Sequence, residues 1–215
     1  MTLVGIVPAG GSGERLGAQR PKAFVVLAGR AMLEWSVEVL QGVCDRVIVA
    51  VPASASASAT AESVVGGSSR SKSVRNAVHA APEASVYVIH DAARPLVTEE
   101  LVRRCVEALG EGVDGAIAAA PVADTIKQAD GRGRVVSTLE RSSLWAVQTP
   151  QVFRADALRT ALDADAATLA AATDDASLVE AGGGRVDVVE SRDENFKVTT
   201  ALDLRMAEAV LGERC

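Results

Sequence analysis

Val4-Gly5-Ile6-Val7-Pro8-Ala9-Gly10-Gly11-Ser12-Gly13-Glu14-Arg15-Leu16-Gly17 is the stretch whose reading decides the fold. A short apolar run, Val4–Val7, passes directly into a loop with glycine at three of four positions. Continuous apolar runs of this length suit strands of a parallel sheet, which are covered on both faces. Glycine lets the following backbone bend so that successive N–H groups point at one anion. Arg15, and Lys22 a little further on, add fixed positive charge beside that cradle. Ligands of open α/β sheets bind beyond the carboxyl ends of the strands, which is where such a loop lies.

Two common glycine motifs fail at this position. A dinucleotide fingerprint requires G-x-G-x-x-G, and after Gly11 and Gly13 the third position is Leu16. A P-loop requires Gly-Lys followed by Ser or Thr, and no Gly-Lys pair follows. The loop therefore reads as an anion cradle of another kind, suited to a nucleoside triphosphate.

Further along, the runs Val47–Val51, Val86–Ile89, Ala116–Ala120 and Val186–Val189 predict more buried strands. Helical periodicity between them predicts helices over Ala31–Leu40, Ser71–Ala81, Thr98–Leu109, Ala155–Leu162, Asp174–Ala181 and Thr200–Leu211. Alternating strands and helices imply an α/β sandwich built on an open, mostly parallel, twisted sheet. The segment 121–145 departs from this rhythm. Its turn Asp130-Gly131-Arg132-Gly133 is flanked by Val122–Gln128 and Arg134–Leu139, which can pair as a projecting hairpin arm. A two-stranded arm cannot bury both faces alone, so it is expected to pack on a partner. The Ala/Ser tract 53–61 is expected to be an exposed loop or helix.

With 215 residues, 48% of them hydrophobic, the chain can form one domain with a sizeable core. Aromatic residues make up only 3%, which argues against stacking platforms for nucleic-acid bases. A net charge of −6 gives no global field toward nucleic acid or anionic membrane. No run approaches the ~20 apolar residues of a membrane span. Cys44, Cys105 and Cys215 form no CxxC pair, so neither a disulfide frame nor a zinc site is suggested; a reduced, cytoplasmic location is expected. Cys44 and Cys105 read as core residues.

Three further segments carry candidate chemistry. Gly66-Gly67-Ser68-Ser69-Arg70-Ser71-Lys72-Ser73 narrowly misses a P-loop, because Ser71 stands where glycine is needed. It reads instead as a polar loop opening a helix at Ser73, whose hydroxyl and N–H groups can bond a base or sugar. His90-Asp91-Ala92-Ala93-Arg94-Pro95 follows a buried strand. Asp91 there can hold Mg²⁺ against phosphate oxygens, Arg94 suits bidentate phosphate binding, and His90 reads as a hydrogen-bonded histidine at a strand end. Lys197, in Asn195-Phe196-Lys197-Val198-Thr199, lies at the same sheet edge if the last strand is parallel. Arg141 and Thr125, in the arm, look like surface residues on composition alone.

Together these blocks, with Pro21-Lys22, Asp124-Thr125, Gln148-Thr149-Pro150-Gln151 and Thr173-Asp174-Asp175, resemble the 2-C-methyl-D-erythritol 4-phosphate cytidylyltransferase family in order along nearly the whole chain. The resemblance implies a single Rossmann-like nucleotidyltransferase domain over 1–215, a homodimer formed through the arm, CTP and methylerythritol phosphate as substrates, and Mg²⁺. It places Pro8, Ala9, Gly10, Gly11, Ser12, Gly13, Gly66, Gly67, Ser73 and Asp91 at the nucleotide. Asp91, Ala92, Arg94, Thr125, Arg141, Thr149, Thr173 and Lys197 fall at the acceptor, Arg141 and Thr125 reaching into the other subunit. Arg15, Lys22, Arg141 and Lys197 carry catalysis, and Asp91 stands near the metal. Some family members carry Asp where this chain has Ser68. A ribitol 5-phosphate cytidylyltransferase shares most of these motifs and is the nearest alternative. A nucleotide-binding regulatory module without transferase activity is the alternative of another class. An NAD-dependent dehydrogenase fails on the missing third glycine.

Overall fold

Leu3–Pro8 forms strand β1 at the heart of the sheet, and its surroundings explain the apolar run. Val4 and Ile6 face one layer of helices while Leu3 and Val7 face the other. Side chains alternate across a strand, so a run apolar at every position is one covered on both faces. The computed structural model describes residues 1–11, 13, 21–55 and 61–214. After β1 come a small hairpin, β2 (Val26–Leu27) and β3 (Arg30–Ala31), then α1 (Met32–Gln41), β4 (Arg46–Val51) and β5 (Glu62–Val65). Helix α2 (Arg70–His79), β6 (Val86–Ile89), α3 (Glu99–Glu107) and β7 (Gly115–Pro121) follow. The arm strands β8 (Lys127–Ala129) and β9 (Val135–Thr138) lead to β10 (Trp145–Arg154), α4 (Ala155–Leu162), α5 (Ala166–Ala171), α6 (Asp175–Ala181), β11 (Val186–Glu190) and α7 (Ala201–Arg214).

The main sheet has seven strands in the order β11-β7-β10-β6-β1-β4-β5. All run parallel except β10, which is antiparallel to both of its neighbours, β6 and β7. Helices α1 and α3 pack on one face through Leu33, Val37, Leu40, Leu101, Val102 and Cys105. Helices α2, α4, α5 and α6 pack on the other through Val74, Ala77, Leu158, Leu162, Leu169 and Val179. Cys44 and Cys105 are buried core residues, and burial pushes both thiols up to about 12. No helix among the described residues is long and apolar enough to cross a membrane.

The expected α/β sandwich is present, with three differences in detail. The arm is a separate two-stranded sheet, but its paired strands are shorter than 122–128 and 134–139. Asp130 closes its turn by accepting from the N–H groups of Arg132 (2.9 Å) and Arg134 (3.0 Å). Strand β10 occupies a stretch expected only as a motif. Its pairing with β7 shifts register between Val147 and Gln151, around the cis Thr149–Pro150 bond. Strand β5 and helix α5 carry no sequence signal of their own; the rest of the Ala/Ser tract, 56–60, lies outside the described residues.

Gly115 sits opposite Phe153 in the β7–β10 register. A Cβ there would lie 2.5 and 2.7 Å from two ring atoms of that fully buried phenylalanine. Gly115→Ala is therefore expected to destabilise the fold by about 1–3 kcal/mol through overpacking. Thermal unfolding checks it, and an unchanged midpoint would mean that the ring can swing aside.

Candidate active site

The parallel strands β1, β4, β5, β6, β7 and β11 end at one edge of the sheet, and the chain builds outward on both sides of β1. Such a switch point leaves a crevice beyond the strand ends. A cleft of about 490 Å³ lies there, lined by Pro8, Ala9, Gly10, Gly11, Gly13, Lys22, Ala23, Gly67–Arg70, Ser73, Asp91–Ala93, Lys197 and Thr199. The Ala9 N–H donates to the Ala50 carbonyl at 2.8 Å, and the Lys22 N–H donates to the Gly11 carbonyl at 2.9 Å. The second bond closes the glycine loop and brings Lys22 to the cleft beside it. Gly13 has φ of 76°, a left-handed conformation that favours glycine. Ser12 and Arg15 lie outside the described residues.

The opposite wall is the loop before α2. Ser69 caps this helix, its Oγ accepting from the Lys72 N–H at 3.2 Å, so the helix opens at Arg70 rather than Ser73. Ser73 lies in the first turn, where its hydroxyl accepts from the Gly67 N–H (3.0 Å) and donates to the Ser69 carbonyl (2.9 Å). That hydroxyl thus braces the loop, although the residue still lines the cleft. A Cβ on Gly67 would stand 2.4 Å from the Lys72 Cβ and 2.9 Å from its carbonyl carbon, so the loop meets the helix as closely as it does only with glycine. Gly66 does not line the cleft; its N–H donates to the Val51 carbonyl at 2.8 Å.

Across the cleft runs an alternating row of charges. Asp175 Oδ2 accepts from Arg70 Nη1 at 2.6 Å, Arg70 Nε donates to Asp91 Oδ1 at 3.0 Å, and Asp91 Oδ2 accepts from Lys197 Nζ at 2.7 Å. Burial alone would raise the Asp91 pKa, but Arg70 and Lys197 overcome it and hold the carboxyl well below the usual carboxylate range. Burial raises the pKa of Asp175 despite Arg70. For Arg70, burial opposes the charged form and the two carboxylates more than restore it.

His90 is fully buried between the Arg94 carbonyl (3.0 Å from Nε2) and Thr149 Oγ1 (3.0 Å from Nδ1). Burial pushes its pKa down to about 4, as suits a neutral structural imidazole. The same Thr149 Oγ1 accepts from the Asp91 N–H at 3.0 Å, so Thr149 supports the site from behind and does not line the cleft. Arg94 departs from the role its motif implies. Its guanidinium donates to the carbonyls of Asn195 (2.7 Å) and Val147 (3.4 Å) and does not line the cleft. It thereby ties β10 to the Lys197 loop. Ala92 and Lys197 line the cleft. Thr173 is exposed and away from the lining, as are Thr125 and Arg141 in this chain; Arg141 Nη1 donates to the Ala123 carbonyl at 2.5 Å.

Arg70 and Asp175 stand in motifs of the sequence that assign them no role. A signal for Asp175 nevertheless exists there. Asp174 alone caps α6, its Oδ1 accepting from the Ser177 N–H at 3.0 Å, so the second acid of the pair is surplus to capping and available to point inward.

An anion-receptive glycine loop, two lysines and a cation-held carboxylate at the carboxyl edge of a mostly parallel sheet define an α/β enzyme that handles phosphorylated nucleotides. A family model described as IspD, 2-C-methyl-D-erythritol 4-phosphate cytidylyltransferase, matches residues 3–213. A protein of that name from Nocardia farcinica is 46% identical, with 99% of this chain and 95% of the relative covered. Another from Rhodococcus jostii is 46% identical, covering 98% and 96%. Among solved structures, the 2-C-methyl-D-erythritol 4-phosphate cytidylyltransferase of Thermus thermophilus is similar with a TM-score of 0.84 at 34% identity, over 98% of each chain. That of Francisella tularensis gives 0.82 at 31% identity, covering 97% of this chain and 99% of its own. The chain belongs to the 2-C-methyl-D-erythritol 4-phosphate cytidylyltransferase family and has its nucleotidyltransferase fold.

Proposed function

We infer that this enzyme transfers the cytidylyl group of CTP to 2-C-methyl-D-erythritol 4-phosphate, releasing pyrophosphate, in isoprenoid biosynthesis. The observation that carries the reading is the meeting of Lys22 and Lys197 with the glycine loop in one cleft of a chain of this family. The acceptor's phosphate oxygen attacks the α-phosphorus of CTP, the bond to the bridging oxygen breaks, and pyrophosphate leaves with the electron pair. A phosphomonoester has its second pKa near ~6, so at neutral pH it is already ionised and needs no general base. This agrees with a buried, neutral His90. The protein's task is to align two anions and neutralise charge at the α-phosphorus and the leaving group. Lys22 and Arg15 suit the second task, Lys197 and Arg141 the first. Pro8, Ala9, Gly10, Gly11 and Gly13 suit the triphosphate.

Asp91 fits a Mg²⁺ ion only as one oxygen ligand. Among the described residues no group of three His, Cys, Asp or Glu side chains could hold a metal. One carboxylate suits an ion whose other ligands are phosphate oxygens and water, and such an ion supplies charge neutralisation when bound. The buried thiols Cys44 and Cys105 support a cytoplasmic location.

We also read the arm as a dimer contact. Val135, Val136, Leu139, Trp145 and Val147 are large apolar side chains exposed along it, which one chain leaves in water. A partner would cover them and receive Arg141 and Thr125. Sedimentation of the wild-type chain is expected to give a dimer, and Val136→Asp a monomer with reduced turnover. A monomeric, fully active wild type would remove this reading.

The activity test is pyrophosphate release with CTP, Mg²⁺ and each acceptor in turn. Turnover is expected with methylerythritol phosphate. Turnover only with ribitol 5-phosphate would overturn the acceptor assignment, and none with either would favour a regulatory module.

A further inference from the structure

We propose that Asp175, acting through Arg70, is a positioning residue that sets where Asp91 and hence Lys197 stand in the cleft. This rests on the cytidylyl-transfer reading above. Arg70 lines the cleft and looks like a ligand for substrate phosphate. Two of its three guanidinium nitrogens are already engaged, however, by Asp175 through Nη1 and by Asp91 through Nε. The two ends of the row differ in side-chain exposure, 0% at Asp175 and 43% at Lys197, with Arg70 at 27% and Asp91 at 12% between them. The row therefore runs from the interior to the reacting space, each charge beside an opposite one.

Its inner end is anchored to the sheet. Gln151 of β10, paired with Ile89 two residues before Asp91, accepts from the N–H groups of Asp175 (3.2 Å) and Ala176 (3.3 Å). Its Nε2 donates to Asp174 Oδ2 at 2.9 Å. Asp175 thus has a fixed backbone and no exposure, and its Oδ1 finds no hydrogen-bond partner among the described residues. Core stability does not explain such a residue. Desolvating a carboxylate is costly, and well-packed apolar side chains commonly do as well or better than buried ion pairs. A requirement for geometry does explain it. With Oδ1 of Asp91 fixed by Arg70, Oδ2 is turned to Lys197 and holds that ammonium at one place. The planar guanidinium is the side chain able to join two carboxylates in fixed directions.

The test is a double-mutant cycle on pyrophosphate release with CTP and methylerythritol phosphate. Asp175→Asn in the wild-type background is expected to lower kcat roughly tenfold to hundredfold, the scale of an ångström-size misplacement, with KM for CTP little changed. In a Lys197→Ala background the same change should cost clearly less, because one of the two groups it positions is gone and only the metal-facing role of Asp91 is left to disturb. Equal losses in both backgrounds, or no loss in the wild type, would overturn the proposal. If Asp175→Asn does not fold, Arg70→Lys serves the same cycle, since one ammonium keeps the charge without the two-pronged geometry. An inactive wild type would overturn the functional reading itself.

Discussion

Replacing Lys22 by alanine is expected to lower kcat by about 10²–10³-fold, the cost of losing one group aimed at charge that develops in the transition state. Lys22 sits on a short 3-10 turn, Lys22–Phe24, whose N–H is fixed to the Gly11 carbonyl, so its side chain stands beside the glycine loop. Negative charge grows on the departing pyrophosphate only as the bond breaks. An interaction of that kind acts on turnover more than on ground-state binding. CTP should therefore still bind measurably to Lys22→Ala, since the backbone N–H groups of the loop remain. Arg15→Ala, in the part of the loop outside the described residues, is expected to behave alike. Steady-state turnover and equilibrium CTP binding together decide the matter, and unchanged turnover in both variants would remove both residues from the mechanism.

Asp91→Ala is expected to cost about 10²-fold in kcat, with a stability loss of only about 1–3 kcal/mol. The asymmetry follows from the row of charges. Arg70 keeps Asp175 when Asp91 is gone, so no buried cation is stranded, and Lys197 is exposed enough to turn to water. What disappears is the hold on Lys197 and the carboxylate proposed to meet a phosphate-bound Mg²⁺ ion. Because Arg70 and Lys197 keep Asp91 ionised far below neutrality, it adds no acid limb to the rate profile; the acceptor's own phosphate sets that limb near pH ~6. Paired measurements of turnover and thermal midpoint check this. A collapse in stability with kcat preserved would mark Asp91 as purely structural.

The parallel strands are legible because burial on both faces writes an unbroken apolar run, as in Val47–Val51 and Val86–Ile89. Strand β10 is hidden for the opposite reason. Gln148, Thr149, Pro150 and Gln151 interrupt it with polar groups and a proline that read as a break, yet tertiary hydrogen bonds to Asp91, Asn195 and Asp175 satisfy them. Helix α5 is nearly all alanine with only Leu169 buried, so it has no periodicity to read. At the site, the glycine loop, Lys22, Asp91 and Lys197 follow from strand-end position. The roles of Arg70 and Arg94 do not, because a guanidinium's partners are set by which carbonyls and carboxylates the fold brings near it. Arg94 resembles a phosphate hook in sequence and is a backbone tie in space.

The single reversed strand has a mechanical consequence. β10 leaves the arm at Trp145, passes Thr149 and Gln151, and ends at Arg154 with no glycine to soften it. Its pairing with β7 shifts register on the way, between Val147 and Gln151, and Gln151–Arg154 then pair with β6. Thr149 bears on the backbone of Asp91, and Gln151 bears on that of Asp175. A single strand thus joins the arm to the backbones of both carboxylate residues at the cleft.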